Sequence, residues 1–102
     1  MGKNRDIESL IRVIVNTVTH QIVIKHTNRP ESTNFLNSEI IEYRGQAEKI
    51  ASSYNWNNED KKFVEERALK KIIEKLTAKY SDIDYTKDEA VTKLKEIIDE
   101  LM

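Results

Sequence analysis

Hydrophobic positions recur at helical spacing along most of this chain, and the densest run is Ile7 to Lys25. With each residue advancing about 100° around a helix, Ile7, Leu10, Ile11, Ile14, Val15, Val18 and Ile22 fall on one broad stripe. Val13, Thr17 and Ile24 form a second, narrower strip beside it. One helix thus carries two surfaces to bury, which places it at the centre of a core or at an interface. The run is also rich in β-branched residues that alternate as strand residues do, at Ile11, Val13 and Val15 and again at Ile22 and Ile24. No Gly, Pro or Asn-Gly pair interrupts it to turn a hairpin, so a helix over about 6–27 is expected, starting near Asn4 or Asp6.

Pro30 disfavours helical geometry in the residue before it, and the polar stretch around it reads as a connection. From about 33 to 54, Leu36, Ile40, Tyr43, Ala47, Ile50 and Tyr54 recur at steps of four and three, the pattern of a seam against a neighbouring helix. Asn55 to Asn58 make a turn in which Asn57 or Asn58 caps a third helix over about 58–80, with Trp56 folding back onto the core. That helix buries Val64, Ala68, Leu69, Ile72, Ile73, Leu76 and Tyr80. Thr86-Lys87-Asp88-Glu89 reads as a capping box that opens a fourth helix over 87–101, with Ala90, Leu94, Ile97 and Leu101 on its seam. The expected fold is all-α, a four-helix antiparallel bundle formed as a single domain over 1–102.

Composition agrees with that pattern. Two Gly and one Pro leave little punctuation for an all-β fold. A chain of 102 residues buries roughly two thirds of its unfolded surface without help from a metal or disulfide. With no cysteine there is no disulfide framework, no thiolate nucleophile and no Cys-based zinc site, which fits a reducing cytoplasm. Arg12, His20 and Lys25 interrupt what would otherwise read as a membrane span, so a soluble cytoplasmic protein is expected.

Net charge is −1, which gives no global attraction to nucleic acid or anionic lipid. Locally the balance is uneven: residues 61–79 are basic and residues 81–102 acidic. Arg67, Lys71, Lys75 and Lys79 recur every fourth residue and make a cationic line able to track phosphates. The acidic fourth helix is the expected cover for that line.

Catalytic signatures are few. His20 and His26 do not share a helical face at metal-ligand spacing, and both read as surface residues, so no metal or other cofactor is expected. No Gly-rich phosphate loop or Gly-x-Ser-x-Gly elbow is present. Glu39-Ile-Ile-Glu42 and Glu96-Ile-Ile-Asp99 place acid pairs one turn apart on two helices. This resembles the paired-acid pattern of the all-α nucleotide pyrophosphohydrolases, and the resemblance implies Mg²⁺ held between the pairs against a triphosphate. Ser38 stands where that family has a further Glu, and the pairs are farther apart in sequence than the family places them.

The leading expectation is therefore a non-catalytic interaction or assembly module. Val13, Thr17 and Ile24, if exposed in the monomer, would form the centre of a contact with a second copy, as in a homodimer, or with another protein, and Trp56 or Tyr54 would anchor its edge. A nucleic-acid-binding protein using Arg67, Lys71, Lys75 and Lys79 is the alternative.

Overall fold

A computed structural model describes the backbone of residues 2–26, 30–80 and 84–102, and the side chains of those residues apart from 2–4 and 30–36. The expected connections at 27–29 and 81–83 and the seam position Leu36 lie outside what is described. Four helices account for the rest: α1 (Gly2–His26), α2 (Pro30–Ala51), α3 (Asn58–Lys79) and α4 (Lys87–Leu101). The four-helix bundle is as the hydrophobic pattern implies, and the helical reading of residues 11–24 holds.

Both boundaries of α2 move for local reasons. Proline is well suited to the first turn of a helix, where its missing N–H costs no hydrogen bond, and α2 accordingly starts at Pro30. It stops at Ala51 because Ser52 and Ser53 donate their hydroxyls to the Lys49 carbonyl, at 3.1 and 3.0 Å, and the indole of Trp56 donates to the Ala51 carbonyl at 2.8 Å. These bonds satisfy last-turn carbonyls that a continuing helix would use. Tyr54 leaves the expected seam, and its hydroxyl donates to Asp6 of α1 at 2.5 Å. Asp6 is therefore inside α1, which begins at Gly2, and it anchors the α2–α3 turn instead of capping its own helix.

Asn57 and Asp60 make the reciprocal cap of α3, with Asp60 N–H donating to Asn57 Oδ1 at 2.7 Å and Asn57 N–H donating to Asp60 Oδ2 at 3.3 Å. At α4 only half of the expected box forms. Glu89 N–H donates to Thr86 Oγ1 at 3.1 Å, but the Glu89 carboxylate turns to α1, lying 2.9 Å from His26 Nε2 and 3.3 Å from Lys25 Nζ. Burial alone would raise the Glu89 pKa, yet its hydrogen bonds to His26 and Lys25 hold it below the usual carboxylate value. This contact pins the end of α1 to the start of α4.

The directions of the helices follow from their cross-links. Glu8 pairs with Arg67 and Asn16 with Lys75, both across 59 residues, so α1 and α3 run parallel. Asp6 meets Tyr54 while His20 meets Glu39 and Tyr43, so α1 and α2 run antiparallel. Direction alternates along the chain, yet spatial order does not follow chain order. α1 and α4 each touch the other three helices, whereas α2 and α3 do not touch among the described residues. The bundle is thus a diamond in cross-section, with α1 and α4 on its short diagonal.

Its core is built on α1. Leu10, Ile11, Ile14, Val18 and Ile22 are completely buried, and they meet Val64, Ala68, Ile72 and Leu76 of α3 and Ala90, Leu94, Ile97 and Ile98 of α4. On α2 the buried positions include the small Ala47 and Ala51, which let its backbone approach α1 closely. Gly45 is exposed, and a Cβ there would meet nothing within 4 Å among the described residues, so it marks no close approach. By length and composition Arg5–His26 is apolar enough to cross a membrane, with a mean hydropathy of 1.3, but 67% of its most apolar 18-residue window is buried inside the bundle.

Candidate functional site: a cationic groove between α1 and α3

The strip expected to meet a partner lies inside the molecule. Val13 is 3% exposed and Thr17 1%, and Ile24 is partly buried against the same core. Thr17 donates its hydroxyl to the Val13 carbonyl at 2.9 Å, which satisfies it without leaving the helix. The reason is the diamond arrangement: α1 has helices on three sides, so its second strip is covered by the chain itself. Trp56 is likewise occupied, packed on the core, hydrogen-bonded to Ala51 and in tilted contact with Tyr54, ring centroids 5.4 Å apart.

The cationic line has a different fate from the one its charge pattern implies. α4 packs on the Glu65 side of α3, where Lys95 pairs with Glu65 at 3.9 Å. Two residues on, about 200° around the helix, Arg67 begins the line on the opposite side, facing α1. Arg67 donates to Glu8 at 3.2 Å, and the Lys75 ammonium donates to Asn16 Oδ1 at 2.5 Å. The acidic helix leaves the line uncovered, and α1 lies alongside it.

Between the two parallel helices runs an open groove of about 800 Å³. It is lined by Arg5, Arg12, Lys71 and Lys75 against only two carboxylates, Glu8 and Glu74, and Glu8 is already paired with Arg67. Val15, Ser9 and Asn16 complete its lining. Arg12, Lys71 and Lys79 are exposed, whereas Lys75 is half-buried. Burial, followed by the nearby charge of Lys79, lowers the Lys75 pKa, and Glu39 only partly offsets this. Two crowded cations, one partly desolvated, are stabilised by an anion brought between them. Arg5 and Arg12 are the residues that sequence reasoning missed. Each is an ordinary exposed position on α1, and nothing in the local pattern says which helix will lie beside it.

The histidines are not both at the surface. His20 is 7% exposed, under the ring of Tyr43 at 5.7 Å, with Nδ1 3.4 Å from Glu39 Oε2 but not aligned for a hydrogen bond. Burial lowers its pKa, Glu39 opposes that, and Lys75 and Lys79 reinforce it. The acid pairs do not assemble. Glu39 turns toward His20, Glu42 and Asp99 are exposed, and no cluster of three or more acidic, histidine or cysteine side chains suited to a metal ion occurs among the described residues.

Compared with known proteins, the chain matches no family model, no curated protein and no solved structure.

Proposed function

We propose that this chain is a non-catalytic binding module that takes the phosphate backbone of a nucleic acid into the α1/α3 groove. The observation that carries the reading is the convergence of cations from two helices, Arg5 and Arg12 with Lys71 and Lys75, on one concave surface, with Lys79 extending the line. Phosphates that neutralise these cations release condensed counterions, and that release drives binding and makes it fall with rising salt. A chain of net charge −1 exerts no long-range pull, so attraction is confined to this face.

The reading as an assembly module has less support. Its expected centre, Val13 and Thr17, is inside the bundle, and among the described residues the large exposed hydrophobic side chains are Ile41 and Phe63, which lie on different helices. Isolated exposed apolar residues do not form a docking patch.

Fluorescence anisotropy with a labelled oligonucleotide tests the proposal. Lys71→Glu combined with Lys75→Glu should weaken binding by at least tenfold at low salt, while Lys87→Glu on α4 should leave it unchanged. Equal affinity of the wild type and the double variant would remove the groove from the account.

A further inference from the structure

Phe63 stands on the same line as the cations of α3, one turn before Arg67 and two turns before Lys71. Phe63 is 42% exposed, and the Arg67 guanidinium lies over its ring, 5.2 Å from the centroid. Beside it is a shallow hollow of about 620 Å³ lined by Ile7, Glu8, Glu59, Asp60 and Phe63. Glu8 borders both this hollow and the cationic groove, so the two adjoin at Glu8, one aromatic and acidic and the other basic.

We propose that the ligand is a single-stranded nucleic acid, with an unpaired base stacked on Phe63 beside Arg67 and the adjoining phosphates lying along Lys71 and Lys75. This rests on the reading of the groove as a phosphate site and adds strandedness to it. A track of cations that ends in an exposed ring is the combination by which proteins hold single strands, since every base offers a π-face. The carboxylates fit the same polarity. Glu8 and Glu59 repel phosphates from the Phe63 end, yet a carboxylate accepts hydrogen bonds from exocyclic amino groups of bases. Stacking argues against a duplex: each paired base lies between its neighbours in the stack, so only an unpaired base has a face to offer the Phe63 ring.

The test uses the full chain and three probes: a labelled single strand of about ten nucleotides, a length within the span that single-strand-binding grooves cover, the matching blunt duplex, and inorganic polyphosphate, which has charge but no bases. Phe63→Ala should weaken single-strand binding about fivefold or more and leave polyphosphate affinity unchanged. Phe63→Trp should keep the wild-type affinity for the strand, and thermal melts of both variants establish that the bundle is intact. If Phe63→Ala binds the strand as the wild type does while Lys71→Glu with Lys75→Glu still loses it, the stacking proposal falls and the phosphate reading stands. Duplex bound more tightly than single strand has the same consequence. If neither strand, duplex nor polyphosphate binds, both readings fall.

Discussion

Two strips in this molecule were ambiguous in sequence for the same reason: each is a line of like residues that needs a neighbour. The apolar strip through Val13 and Thr17 found its neighbour within the chain, because α1 is surrounded by three helices. The cationic line from Arg67 to Lys79 was expected beneath the acidic α4, but α4 packs on the other side of α3 and the line borders an open groove with α1. The residue pattern states what a surface requires. Which element meets the requirement depends on the order of helices around the bundle, and here α2 and α3, consecutive in the chain, do not touch among the described residues.

The largest effect is expected at Val13. Val13→Asp would bury an unpaired carboxylate, a change that costs several kcal/mol, so the variant should lose its helical circular dichroism at ambient temperature. A folded Val13→Asp variant would put that strip at a surface after all. Thr19 gives a smaller effect of opposite sign. Its hydroxyl is completely buried and has no hydrogen-bond partner among the described residues. Thr19→Val keeps the shape and removes the orphaned polar group, and chemical denaturation should find it about 1 kcal/mol more stable.

Acid should act on the same buried face through His20. Its folded-state pKa lies below the ordinary value of 6.5, so below that pH the unfolded chain binds more protons than the folded one. Stability should therefore be fully present above pH 6.5 and decline as pH falls through the window beneath it. Melting temperatures measured across that window should fall with pH for the wild type and much less for His20→Gln. A flat wild-type profile would mean that His20 is not held neutral. On the cationic side stability should barely respond. Lys71→Glu alters an exposed side chain, and its melt should lie within about 0.5 kcal/mol of the wild type, which separates a binding face from a structural one.

Much of the architecture was legible. The Thr86 signal and the Ala90, Leu94, Ile97 spacing placed α4 at its observed limits, and the Asn57 cap located the start of α3. Those signals are local, carried by backbone N–H groups and side chains within one turn. The end of α2 was not legible, because it depends on Trp56 and two serines competing for last-turn carbonyls. Glu89 had two partners of comparable reach, the Thr86 amide and the His26–Lys25 pair, and a sequence cannot rank a local partner against a distant one. For the site, the i, i+4 recurrence revealed Lys71 and Lys75, whereas Arg5, Arg12 and the burial of His20 depend on the placement of α1.

The most direct test of the cationic groove as a binding face is an amide chemical-shift titration of the labelled protein with a short single-stranded oligonucleotide at low salt. The largest shifts should fall on Arg12, Asn16, Lys71 and Lys75, with Phe63 and Arg67 following, and added salt should reverse them. Shifts centred on α2 around Ile41 or on α4, or none at concentrations that saturate a phosphate site, would contradict this placement.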